Sequence, residues 1–434
     1  MQSPFRRYLR IALVAVFATV VGVAVWNAYR WNRASKHLAA ARQALASFRY
    51  DEAYAQSTGC FPYYRNDPNV ILLAVQCARR SGHVDEARNY LDLFDSVQRA
   101  QAKSADLDGR EEAARLEHQL LLAQEGKASD FATQALWERA EAGDHHREMI
   151  LEALVQGAMR TYRGGQARAA IDAWMKTETR DPRAYLFKGM IYNQMYRKGD
   201  DAVRGFQEAL SIDPDYHDAR LALADLLLDA ADGDAAEPHY RYVHERKPGA
   251  ATLLGLGRCR AAAGDYATAE KLLRDALRSE PENSTITREL GIVLMQNGLL
   301  EEAHAHLVRT LETWPHDVPT SYNLYLVLQR LQRDAAAAQQ LERHKSLESK
   351  QKVLNRLLFT ELQQRPNDPE VMFELGKTQL QIGGAEYDSL GLWWLQRVLQ
   401  IDPFHKGVYG ALADYYQRQN NREMAERCRR LAEP

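Results

Sequence analysis

Gly255-Leu256-Gly257 and Gly376-Lys377-Thr378 are the two places where this chain could begin to cradle a phosphate. A dinucleotide-binding turn needs a third glycine, a strand before it and a helix after it. Arg260 occupies the place of that third glycine, and no strand pattern precedes it. A phosphate-binding loop would require glycine five residues ahead of Gly376, where Val371 stands. Both segments lie inside helical patterns, and packing is the expected role of their glycines. His304 and His306, two apart on a helix, point about 200° apart and cannot chelate one ion comfortably. His145-His146 follows Gly143-Asp144 and reads as a solvated turn. Cys60, Cys77, Cys259 and Cys428 fall in helical segments, where a small buried side chain is the default. No Cys-x-x-Cys, Gly-x-Ser-x-Gly or His-Glu-x-x-His occurs. The expectation is a protein without catalytic residues, cofactor, metal or small-molecule substrate.

Charge narrows the partners. Lys plus Arg number 56 against 58 Asp plus Glu, giving a net charge of −2 with both signs interspersed. A nucleic-acid binder is expected to carry a basic excess or a basic face. None is visible here, so no nucleic-acid partner is expected.

The elements that must position any binding residue are repeated helices. Pro214, Pro248, Pro281 and Pro315 are separated by 34, 33 and 34 residues. Ala202, Ala236, Ala269 and Ala303 precede them by twelve residues in every case, and Gly257 and Gly291 precede the last two alanines by another twelve. Small residues at those offsets let two helix backbones approach, and proline stops the second helix because it lacks an N–H. Gly264 and Asn297-Gly298 supply the turn between the helices.

This pattern resembles the tetratricopeptide repeat, whose 34-residue unit reads W-x2-L-G-x2-Y, then A-x3-F, then P. Residues 252–281 supply Leu256-Gly257, Ala269, Leu273, Ala276 and Pro281; residues 287–315 supply Leu290-Gly291, Ala303, Leu307 and Pro315. Gly189, Tyr192, Ala202, Phe206 and Pro214 fit with one extra residue in the turn. Leu375-Gly376, Leu395 and Pro403 fit with three extra residues near Gly383-Gly384. A last unit carries Leu412, Ala413, Tyr416 and Ala425. The first half is more degenerate: Ala53 marks one unit, Gly82, Ala87, Leu91 and Phe94 a second, while residues 105–145 are helical without fitting the motif. Residues 151–182 fit weakly through Ala158, Ala170, Trp174 and Pro182. Pro315 to Pro366 spans 51 residues, one repeat and a half, and Asp334–Gln364 holds no Pro or Gly. That stretch reads as one long helix or a pair broken near Ser346.

The resemblance implies an all-α fold, a right-handed α-solenoid of helix-turn-helix repeats. It further implies that the residues five and nine places into each unit line a concave groove. In this chain they are Leu186 and Met190, Leu221 and Asp225, Leu254 and Arg258, Arg288 and Ile292, Tyr322 and Leu326, and Phe373 and Lys377. Apolar anchors mixed with Arg, Lys and Tyr suit a protein partner. Some of these apolar residues are equally suited to packing between units. The Lys and Asn clamp that some members use on a terminal carboxylate is absent, so a co-chaperone role of that type is not expected.

The start of the chain differs from the rest. Ile11–Trp26 is a 16-residue apolar run, followed by Tyr29 and Trp31 as an aromatic belt. A single transmembrane helix is expected, favoured over a cleaved signal peptide with Gly22-Val23-Ala24 as its cleavage site. Arg6, Arg7 and Arg10 before the run balance Arg30, Arg33 and Lys36 after it. The short leading segment then places a single-pass protein with its repeats outside the cytoplasm, where Cys60 and Cys77 could pair. The expected domains are a basic segment 1–10, the transmembrane helix 11–31, degenerate repeats 38–182, regular repeats 183–332, a long helix or half-repeat 333–366, and terminal repeats 367–434. The functional expectation is a membrane-anchored scaffold that binds a protein segment in its groove and supports a membrane or envelope complex. The alternative is a non-catalytic adaptor or regulatory subunit of secretion, glycan or cytochrome-assembly machinery, holding a folded subunit.

Overall fold

The computed structural model describes the backbone of residues 4–101 and 108–433, and side chains at Phe17, 21–100 and 109–433. Its described residues are helical and contain no strand. They form two compact units, Met1–Arg160 and Thr161–Pro434.

The first unit contains α1 (Pro4–Ala46), α2 (Tyr50–Tyr64), α3 (Pro68–Arg80), α4 (Val84–Gln101), α5 (Asp108–Gln124), α6 (Asp130–Glu141) and α7 (Arg147–Arg160). Helix α1 packs its carboxy-terminal part on α2 through the small residues Ala34, Ala41 and Ala44, all buried. Behind it, α3 stands against α4 and α5, and α5 against α7. Arg79 and Glu117 are both buried, and their Nε–Oε2 distance is 2.7 Å. Arg80 reaches Glu152 at 2.9 Å, so α3 is tied to both α5 and α7 by ion pairs.

The single-pass membrane localisation expected above is corrected here. Much of the run Ile11–Trp26 falls on residues whose side chains lie outside the described set. Among the described residues no helix is long and apolar enough to cross a membrane. The physical reason is length: a span takes about 20 consecutive apolar residues, and the described part of α1 soon meets Asn27, Arg30, Arg33 and Lys36. Arg30 sets its guanidinium over the Trp26 ring at 5.9 Å and over Tyr63 at 4.8 Å, tying the expected aromatic belt to α2.

The second unit is a succession of helix hairpins: α8 (Gly164–Met175), α9 (Pro182–Gln194), α10 (Gly199–Ile212), α11 (His217–Asp229), α12 (Gly233–Arg246), α13 (Ala250–Ala262), α14 (Tyr266–Ser279), α15 (Ser284–Gln296), α16 (Leu300–Thr313) and α17 (Val318–Arg330). Helix α18 (Asp334–Arg356) continues through a π-turn, Leu357–Glu361, into α19 (Leu362–Gln364). Then come α20 (Pro369–Ile382), α21 (Ala385–Ile401), α22 (Lys406–Arg418) and α23 (Arg422–Ala432). Asparagine or aspartate opens many first helices: Asn283 accepts the N–H groups of Thr285 and Ile286, and Asp317 that of Thr320. Pro214, Pro248, Pro281 and Pro315 each stand just beyond a second helix, as the spacing predicts. Pro182 does not: with Asp181 as its cap it opens α9, because proline is well suited to the first helical position.

Inside each hairpin the small residues set the crossing. A Cβ placed on Gly257 would lie 2.9 Å from Leu273, and one on Gly291 2.9 Å from Leu307. Ala269, Leu273, Leu290, Leu294, Ala303 and Leu307 fill one continuous core.

Candidate protein-binding surface

Hairpin packing leaves the first helices side by side: α9 on α11, α11 on α13, α13 on α15, and α15 on α17. Residues four apart share a helix face, so each of the six residue pairs named from the sequence lies on one face of its own helix: α9, α11, α13, α15 and α17, and α20, which packs on α18. Leu186 is buried at 8% exposure in the hairpin core, where Met190 joins it. Leu221, Leu254, Ile292 and Leu326 are half-buried against cores that span neighbouring repeats. Their apolar area is partly spent on holding repeats together.

The polar members meet partners that the sequence reading did not name. Arg258 on α13 holds Asp229 on α11 at 2.9 Å and stands 3.8 Å from Asp225. Asp225 accepts the Tyr240 hydroxyl. Burial, and then the Asp225 carboxylate, push the Tyr240 phenol upward, so it remains a donor. Arg288 on α15 holds Glu289 at 3.0 Å and Asp317, the cap of α17, at 3.3 Å. The pairs Arg258–Asp229 and Arg288–Asp317 are each 29 residues apart. The acid precedes the arginine in the first pair and follows it in the second, so the shared separation is not a repeated motif that the sequence could have shown. Phe373 lies against the His405 ring at 4.9 Å and under the Lys377 ammonium at 5.3 Å. Tyr322 is the most open of the apolar members at 44% exposure, with Tyr325 and His344 rings 5.9 and 5.1 Å away.

Elsewhere, chemistry is limited. All four cysteines are free and buried, and burial pushes the Cys77 thiol up to about 12. Among the described residues, Asp144, His145 and His146 bring three ligand atoms within 4.8 Å of one another and could hold a metal. Two features oppose a cation there. The Arg139 guanidinium already binds Asp144, and the amino-terminal end of α7 adds positive potential. Burial raises the Asp144 carboxyl, but the His146 N–H and Arg139 outweigh it and hold it at about 2.

The sequence matches the tetratricopeptide repeat family over residues 227–287 and 260–324. Residues 227–324 carry tetratricopeptide repeats. That match takes in α12 to α16 and the start of α17, where the Gly257 and Gly291 crossings lie. No curated protein matches the chain. Among solved structures, MamA (41-end) from Desulfovibrio magneticus RS-1 is 19% identical, covering 38% of this chain and 93% of its own, with a TM-score of 0.34. Human IFIT1, as a dimer with PPP-AAAA, is 13% identical over 84% of this chain and 90% of its own, with a TM-score of 0.42. At such scores neither likeness says what this chain binds. Repeats of this kind act as a rule as interaction scaffolds whose stacked units present an extended surface.

Proposed function

We propose that the second unit is a non-catalytic scaffold that binds a protein segment along the row of first helices, supporting assembly of a larger complex. The observation that carries this reading is Tyr322. It is an open aromatic anchor on α17, beside α15, where Arg288 is held in place by an ion pair, as Arg258 is one first helix further along on α13. Tyr and Arg dominate binding energy at interfaces, and arginines already positioned lose less freedom on binding. Leu186, Met190, Leu221, Leu254, Ile292 and Leu326 give the row its apolar floor, with Asp225, Phe373 and Lys377 toward its two ends.

A second reading, an adaptor that holds a folded subunit, is favoured by a separate cleft of about 1170 Å³ on the second-helix side. Leu277, Leu290 and Leu299 line it together with Lys271 and Arg309. One experiment separates the two. Proteins captured by the wild-type chain are compared with those captured by Tyr322→Ala/Arg258→Gln and by Lys271→Glu/Arg309→Glu, with bound RNA measured in each sample. Loss of the partner in the first variant alone supports the groove. Loss in the second alone moves binding to the cleft, and RNA in place of a protein overturns both readings.

A further inference from the structure

The regular second helices α10, α12, α14 and α16 are 14 residues long, whereas α18 runs for 23 before its π-turn. At ~1.5 Å per residue, α18 alone carries the chain roughly 13 Å further than an ordinary second helix. The block that follows, from the π-turn to α21, therefore starts displaced. On one side it meets the turn between α16 and α17. There the His316 ring stands edge-on to Tyr387, centroids 4.5 Å apart, and a Cβ on Gly384 would lie 3.0 Å from His316 Cε1.

On another side the same block meets the start of the second unit. Tyr162, just ahead of α8, packs against the core that Leu354, Leu358, Leu375 and Trp394 help to form. Arg163 sets its guanidinium over the Trp393 ring at 5.4 Å. A Cβ on Gly164 would lie 2.6 Å from Gln363 Oε1, so the start of α8 and α19 approach as closely as glycine allows. Arg197, between α9 and α10, stands over Phe359 of the π-turn at 5.7 Å. Successive helices pack on one another without a break from α8 to the π-turn, so this seam closes them into a ring. First helices lie against first helices, while the second helices stand further apart, which puts the first helices on the inner side.

The seam concentrates local strain. Ala231, Gly264, Gly298 and Gln332 take a left-handed φ in the turns into α12, α14, α16 and α18. A Cβ on Gly264 or Gly298 would meet nothing within 4 Å. Ahead of α8 and α10 the left-handed residues are Tyr162 and Arg197, with φ of 54° and 55°. That conformation is costly for a bulky side chain, and such strain collects where a contact requires it. Both of these residues reach across the seam. The π-turn that presents Phe359 is a further departure from regular helix at the same place. Apart from Tyr162, the seam is made of two cation–π contacts and one glutamine, each weak on its own.

We propose that this seam is a clasp: it opens with the hairpins intact, admits a protein segment to the inner first helices, and closes behind it. What it admits rests on the reading that the first helices carry the binding surface, but the test needs no partner. Tyr322→Cys puts a reactive thiol on α17, while the four native cysteines are buried. Its rate of labelling is measured on the full chain with a small maleimide and with a maleimide on a long polyethylene glycol chain. The lock is Gly164→Cys/Gln363→Cys, oxidised to a disulfide before labelling; the second change removes the amide that a Cβ at 164 would strike. The locked chain should react with the small reagent as before and lose its reaction with the large one. Tyr162→Gly keeps the left-handed turn and should speed the large reagent about tenfold, because access follows the population of the open form. Its helical content by circular dichroism should be unchanged. Equal reaction of locked and unlocked chains, a large reagent no faster on Tyr162→Gly, loss of helix in that variant, or two cysteines that fail to join would each overturn the clasp. A working clasp without a groove partner in the capture experiment would instead overturn the binding reading alone.

Discussion

Arg79 and Glu117 show how much a single buried pair can decide. Both side chains are almost wholly out of solvent, and Gln124 adds a hydrogen bond to the Arg79 carbonyl at 3.2 Å. Removing one partner leaves an uncompensated buried charge, at a cost of about 3–5 kcal/mol, whereas replacing both with apolar residues can be close to neutral. Urea unfolding of Arg79→Met, Glu117→Leu and the double variant should therefore show two large losses and a much smaller combined one. Asp144 makes a pH-dependent contribution. Its carboxyl is held at about 2 in the folded chain, below the ordinary value of 3.8. A depressed carboxylate stabilises the fold above its unfolded value, and that contribution disappears as pH falls from about 4 toward 2. The melting temperature of wild type should exceed that of Asp144→Asn at pH 6, and the difference should close by pH 2.

Helix pairs are governed by a few small residues. Gly291 faces Leu307 so closely that even a methyl group would crowd it, with His306 Cβ a further 3.3 Å contact. Gly291→Leu should destabilise by about 1–3 kcal/mol through overpacking; unchanged thermal melting would mean that the crossing lies elsewhere. Between hairpins the same logic uses charge. Arg274 on α14 reaches Glu302 on α16 at 2.7 Å, and Arg333, in the turn just before α18, reaches Glu301 on α16 at 2.9 Å. These exposed pairs contribute little individually, so register depends on the apolar core and they add selectivity.

At the scale of the molecule, the chain divides between Arg160 and Thr161. Residues 161–434 have their own cores in each successive hairpin, so this fragment should express as a cooperatively folded helical protein. Circular dichroism and a single thermal transition would check it; an unfolded fragment would mean the units depend on one another. Much of this architecture was legible in the sequence. Gly257, Gly291, Ala269, Ala303 and the spaced prolines are local requirements of a helix crossing and a helix stop, and each acts within about 34 residues. The sequence misassigned Pro182, because proline ends one helix and opens the next with the same φ. Its apolar run at residues 11–26 was read as a membrane span, which the described structure does not support. The partners of Arg258 and Arg288, and the meeting of His316 with Tyr387 and Gly384, were decided by tertiary structure alone. They depend on how far one helix carries the chain before the next begins, a distance that side-chain spacing does not encode.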